Sequence, residues 1–145
     1  MSNLSPLQLE RSFFPQVKLV AQPDPDTHAE FDAETEFEAV QSKENNRAWF
    51  VTVRVHVKTT GEKKVPYTGT VECTGQFMVA AAWPEKDIHK LVVVNGTGLL
   101  YSAIREMILN ITSRGPWPAL ILPTQSFITT YQKKMESQKA VDQKK

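Results

Sequence analysis

Residues 47–60 read RAWFVTVRVHVKTT, and within them Val51, Val53, Val55 and Val57 alternate with Thr52, Arg54, His56 and Lys58. A period of two, apolar on one side and polar on the other, is the pattern of an antiparallel strand that buries one face and wets the other. The polar connection Gly61-Glu62-Lys63-Lys64 follows. Tyr67, Val71, Cys73, Phe77 and Val79 then fall on odd positions, opposite Thr68, Thr70, Glu72, Thr74 and Gln76. The two runs predict a hairpin. Gly69 and Gly75 leave gaps on the apolar side of the second run, which predicts a coiled strand or close approach by another backbone. Cys73 reads as a small core residue.

Upstream, Leu7, Leu9, Phe13, Val17 and Leu19 alternate with polar residues and predict a further strand with one buried face. Pro15 removes a backbone donor, so that strand is bent or bulged there or lies at a sheet edge. Gln22 to Glu44 opens with two prolines and carries Asp24, Asp26, Glu30, Asp32, Glu34, Glu36 and Glu38, interrupted by Phe31 and Phe37. It reads as a long acidic crossover loop whose aromatics either pin it to the body or bind partners.

Downstream, Trp83-Pro84-Glu85-Lys86-Asp87 looks like a helix start while Leu91-Val92-Val93-Val94 favours strand, so a short helical turn and then a fourth strand are expected. From Thr97 the period becomes helical, with Leu99, Leu100, Ala103, Ile104, Met107, Ile108 and Ile111 at steps of three and four. Leu109 widens this stripe, so the helix needs cover on more than one side, and a second subunit is a common source of it. Gly115-Pro116 stops the helix. An extended, proline-fenced segment with Trp117, Leu120, Ile121 and Leu122 leads to a shorter amphipathic helix with Phe127, Ile128, Tyr131 and Met135 on one side. The fold class expected is therefore α+β, with one domain over residues 5–136 and an unstructured, polar, lysine-rich tail over residues 137–145.

The 145 residues suffice for one core, and 17 basic against 16 acidic side chains give no general electrostatic case for nucleic acid. A single cysteine excludes an internal disulfide, the first ten residues lack the pattern of a signal peptide, and no long uninterrupted apolar run is present. The cytoplasm is the expected compartment, without membrane insertion. The Asn-x-Thr triplets at Asn95 and Asn110 matter only in a secreted chain. His28, His56 and His89 each stand alone, so no metal site is expected. Gly96-Thr97-Gly98 lacks the spacing and lysine of a phosphate loop, no Gly-x-Ser-x-Gly elbow occurs, and Cys73 has no neighbouring base. No cofactor and no catalysis are expected. What stands out is apolar material outside regular core: Phe31, Phe37, Trp83, Trp117, Leu120, Leu122, Phe127 and Tyr131. It is either satellite packing or a binding surface.

The stretch Leu99-Leu100-Tyr101-Ser102-Ala103-Ile104-Arg105-Glu106, then Ser113-Arg114-Gly115-Pro116-Trp117-Pro118-Ala119-Leu120-Ile121-Leu122, then Phe127, resembles the SecB export-chaperone family. That family shows an apolar helix containing Arg-Glu, a Ser-Arg-Gly-x-aromatic-Pro hinge, a Leu-x-Leu segment and a Phe opening a second helix. The resemblance implies a four-stranded antiparallel sheet backed by one long helix, assembled as a homotetramer, a dimer of dimers. It implies an interface through Leu100, Ile104, Met107, Ile108 and Ile111. It further implies grooves walled by the crossover loop and second helix, in which Phe31, Phe37, Trp117, Leu120, Leu122, Phe127 and Tyr131 take up unfolded preproteins without ATP. An antitoxin is an alternative client, and a small-ligand-binding or enzymatic domain is the alternative of another class. Two features depart from the family: Tyr101-Ser102-Ala103-Ile104 stands where members show Phe-Pro-Tyr-Ala, and the proline after Leu-x-Leu is shifted to Pro123. The acidic positions through which the family docks the SecA motor match Gln16, Val20 and Thr70, none of them acidic, which puts SecA docking of the usual kind in question.

Overall fold

The computed structural model describes residues 3–143. Its frame is one sheet of four strands, β1 (Leu7–Ala21), β2 (Phe31–Gln41), β3 (Ala48–Thr59) and β4 (Tyr67–Val79), in the order β1-β4-β3-β2. Every neighbouring pair is antiparallel. The expected hairpin forms, with β3 and β4 paired from Ala48 opposite Met78 to Val57 opposite Gly69. Val51, Val53 and Val55 are fully buried, as are Val71, Cys73 and Phe77 of β4. The apolar parity of the sequence thus fixes the inner face.

Two of the four strands differ from the sequence reading. The acidic crossover is largely a strand: β2 pairs with β3 over eleven residues without a register shift, from Phe31 opposite Thr59 to Gln41 opposite Trp49. Phe31, Ala33, Thr35, Phe37 and Ala39 share the inner face while Asp32, Glu34, Glu36 and Glu38 point out beside the cations of β3. Arg54 pairs with Glu36 at 3.2 Å and with Glu72 at 3.2 Å, and Lys58 pairs with Glu34. Those cross-strand pairs offset the poor strand propensity of glutamate.

In β1, Glu10 is an extra residue between the Leu9–Phe77 and Arg11–Gln76 pairs, and Phe14 with Pro15 spans the single position of Cys73. The first bulge moves Phe13 to the outer face, where it is 46% exposed beneath the Arg11 guanidinium, and turns Phe14 inward. The second bulge, at the proline, restores the parity of Val17 and Leu19. Gly69 sits opposite Leu19 at φ 152°, where an added Cβ would collide with the Lys18 carbonyl. Gly75 leaves the space that the Phe77 ring and Leu100 fill.

Leu91 to Val94 is helix instead of strand. A 3-10 turn (Glu85–Asp87), α1 (Ile88–Leu91), a widened π turn (Val92–Gly96) and α2 (Thr97–Thr112) follow one another without a break. Val92 and Val93 are buried, so tertiary packing overrides the strand preference of the valines. The run Glu85–Thr112 is long and apolar enough to cross a membrane by length and composition, yet half of its most apolar window is buried within the chain, the mark of a core helix. The last element, α3 (Phe127–Gln143), carries helix through the segment expected to be unstructured from Ser137; residues 144 and 145 lie outside the described residues.

Candidate functional site

The hinge after α2 is built around one phenol. Tyr67 of β4 donates its hydroxyl toward the Thr112 carbonyl, 3.2 Å away, and accepts the Trp117 backbone N–H at 3.1 Å. The Trp117 indole N–H donates to the Gln22 carbonyl at 3.0 Å. From there the extended segment runs back along α2, held by the Leu120 N–H on Thr112 Oγ1 (2.9 Å), by Arg105 Nε on the Leu122 carbonyl (3.1 Å) and by the Tyr101 hydroxyl on the Pro123 carbonyl. Strand-like alternation of that segment turns Leu120 and Leu122 inward, at 8% and 1% exposure, and leaves Ile121 65% exposed.

α3 then lies over the inner face of β2. The Phe127 ring meets Tyr101 edge-on at 5.4 Å, and the Gln125 amide donates to Thr35 Oγ1 at 3.1 Å. Further along, Tyr131 packs on His89 at 5.8 Å, His89 packs on Trp49 at 5.9 Å, and the Lys134 ammonium sits 4.7 Å over the Phe37 ring. Burial, and then the nearby Lys134, hold the His89 pKa below the ordinary histidine value. Of the described α3 residues only Phe127 is buried. Phe37, beneath Lys134, and Tyr131, on His89, remain half-buried at the seam between β2 and α3, while Phe31, also half-buried, stands at the other end of β2, opposite Thr59. On the flank of α3 facing α1, a 380 Å³ cavity is lined by Trp83, Leu91, Val94 and Ile128, with Asp87 and Lys90 at its rim.

The residues singled out from sequence therefore separate into three groups. Phe37 and Tyr131 stay half-buried at the seam, Phe37 beneath Lys134 and Tyr131 on His89, whereas Phe31 is six residues from Phe37 on β2, opposite Thr59. Leu120, Leu122 and Phe127 are core, and Trp117 is tied to Tyr67 and Gln22 instead of to the seam. Leu100, Ile104 and Ile108, expected at a subunit interface, are at 1%, 0% and 0% exposure against this chain's own sheet, because that stripe of α2 faces β3 and β4. The apolar side chains α2 leaves outside are Leu99 (49%), Leu109 (38%) and Ile111 (36%), with Met107 half-buried. Trp49, His89 and Lys134 complete the seat of α3. Their partners are far away in sequence, and only Trp49, by its odd position in β3, had a local signal.

No group of three or more His, Cys, Asp or Glu able to hold a metal occurs among the described residues. Burial pushes the Cys73 thiol up to about 11, far from a reactive thiolate. Gln16, Val20 and Thr70 share the outer face of the sheet, opposite Glu72, Thr68 and Lys18 respectively.

A four-stranded antiparallel sheet covered on one face by a core helix, with a second helix that buries only Phe127, defines an α+β protein. The chain belongs to the SecB family: the family model, preprotein translocase subunit SecB, matches residues 7–138. It is 27% identical over 93 residues to the protein-export protein SecB of Nitrobacter winogradskyi and 30% identical over 90 residues to that of Bradyrhizobium diazoefficiens. Those matches cover 64% and 62% of this chain and only 58% and 55% of the relatives. Among solved structures it is similar to a SecB-like chaperone of Mycobacterium tuberculosis in complex with a ChAD peptide from an antitoxin, with a TM-score of 0.64 and 19% identity. That match covers 83% of this chain and 88% of the other.

Proposed function

We propose that this chain is an ATP-independent holding chaperone that takes up unfolded polypeptide in the trough between β2 and α3 and keeps preproteins competent for export. The observation that carries the reading is the contrast between Phe31, Phe37 and Tyr131, which keep part of their apolar surface in contact with water, and the closed core beside them. Burial of apolar surface yields roughly 25 cal/mol per Å² with no directional demand, so such a trough accepts many sequences that share only exposed hydrophobicity. One segment binds weakly because its ordering costs entropy; several troughs on one particle capture successive segments at high effective concentration. Folded proteins hide these segments and are ignored, so no nucleotide and no catalytic step is required.

The working particle in this reading is a cytoplasmic homotetramer, a dimer of dimers, joined through the outward side of α2, where Leu99, Met107, Leu109 and Ile111 lie. An antitoxin client is the second reading, supported by the antitoxin peptide bound by the similar Mycobacterium tuberculosis chaperone. Docking to a SecA motor has weak support, because Gln16, Val20 and Thr70 bring no carboxylate to the outer face. Native mass spectrometry with and without a reduced, unfolded client tests assembly and capture together. A tetramer that gains client mass supports the proposal, and a particle that ignores denatured chains removes it.

A further inference from the structure

Helical spacing puts Phe127, Tyr131 and Lys134 within roughly 60° of one another around α3, on the stripe that faces the sheet. The first two are aromatic; the third is a lysine at a position where an apolar side chain would close the seam. Its ammonium stands 4.7 Å over the Phe37 ring, the geometry of a cation–π contact. No carboxylate answers this charge. Among the described residues Lys134 takes part in no ion pair. Its helical neighbours three and four residues away are Thr130, Tyr131, Ser137 and Gln138. The strand beneath turns Phe31, Ala33, Thr35, Phe37 and Ala39 to the inner face, while Asp32, Glu34, Glu36 and Glu38 alternate onto the opposite face of the sheet. Lys134 also disfavours the protonated form of His89, on which Tyr131 packs. The inner side of the seam is thus positive, although β2 bears four acids and no basic residue.

Any side chain that comes to rest on Phe37 must first move this ammonium off the ring. The contact is weak enough at an exposed site to be displaced, and the flexible stem of lysine lets the head swing away without moving the helix. The displaced ammonium then lies where the chain supplies no carboxylate of its own. We propose that Lys134 is a specificity-determining residue of the seam, a movable cap on Phe37 that favours polypeptide segments in which an apolar residue is flanked by aspartate or glutamate. The apolar side chain takes the ring face that Lys134 vacates, and a carboxylate within two positions of it receives the ammonium. This inference rests on the holding function and names the kind of segment that Phe37 prefers.

The probes are three capped, dye-labelled peptides that share a central Leu-Phe-Leu flanked on both sides by glutamate, glutamine or lysine, titrated with the full-length protein by fluorescence anisotropy. The parent binds the glutamate peptide about two- to fivefold more tightly than the glutamine peptide, the range one exposed ion pair allows, and binds the lysine peptide most weakly. This ranking contracts at about 1 M salt. Lys134→Gln keeps a polar side chain without the charge; once shown to be folded by circular dichroism, it binds the glutamine peptide more tightly than the parent does and ranks the glutamate peptide no higher. Lys133→Gln removes a charge one residue away, off the inward stripe, and keeps the parent's ranking. A glutamate preference that is absent from the parent, or that survives in Lys134→Gln, overturns the inference. Capture of a reduced, denatured protein is scored in parallel. Capture without a Lys134-dependent ranking refutes the inference alone, a Lys134-dependent ranking without capture refutes the holding function alone, and binding of neither peptides nor denatured protein refutes both.

Discussion

The phenolic hydroxyl of Tyr67 accepts the backbone N–H of Trp117 at 3.1 Å while donating toward the last turn of α2. This one group joins sheet, helix and extended segment, and it explains the glycine of the Ser-Arg-Gly-Pro-Trp-Pro hinge, since a Cβ at Gly115 would collide with the Tyr67 ring and hydroxyl. Tyr67→Phe leaves the Trp117 N–H and the Thr112 carbonyl without this partner and is expected to cost about 1–3 kcal/mol in urea unfolding. Gly115→Ala is expected to cost at least as much. Unchanged midpoints in both variants would show that the hinge does not depend on this contact.

Ile104 and Leu109 lie on the same helix with opposite roles. Ile104 is fully buried against the sheet, so Ile104→Ala is expected to destabilise the chain by about 2–5 kcal/mol, read by chemical denaturation. Leu109 is exposed on the single chain. Leu109→Asp with Ile111→Asp should leave the chain folded yet lower the particle mass in light scattering, and an undiminished mass counts against this face as the subunit contact.

His89 links Trp49 to Tyr131, and burial depresses its pKa. A histidine with a depressed folded-state pKa contributes stability that is present above its ordinary value of 6.5 and is lost as the pH falls through the lower, folded value. Amide protection in α3 should therefore decrease on acidification below that point, and His89→Phe should remove most of this pH dependence. Equal acid sensitivity in the variant would assign the effect to other groups.

With its thiol at about 11, Cys73 holds almost no thiolate near neutral pH. A disulfide reagent is expected to label it slowly in the native protein and promptly in denaturant. Rapid native labelling would mean that β4 opens far more often than its fully buried side chains imply.

The β3–β4 hairpin and the α2 stripe were legible because their apolar positions keep an unbroken period, and the conspicuous C-terminal motif pointed to the family. β2 was misread although Phe31, Ala33, Thr35, Phe37 and Ala39 do alternate with acids. Alanine and threonine give a weak apolar signal, and glutamate reads as loop unless the cations of the neighbouring strand are known. Phe13 and Phe14 exchanged faces because a bulge at Glu10 has no local signature. Of the site, the aromatic set was visible but not its division. Whether Phe127 or Phe37 faces the trough depends on where α3 lands, which is decided by Tyr101, His89 and Thr35 at long range.

The most direct trial of the account is fluorescence anisotropy of a labelled, reduced and permanently unfolded protein titrated with this chain in the absence of nucleotide. The account predicts saturable binding that falls by about tenfold or more when Phe31, Phe37 and Tyr131 are replaced together by alanine in a folded variant. Absence of binding by the parent, or equal binding by the triple variant, contradicts it.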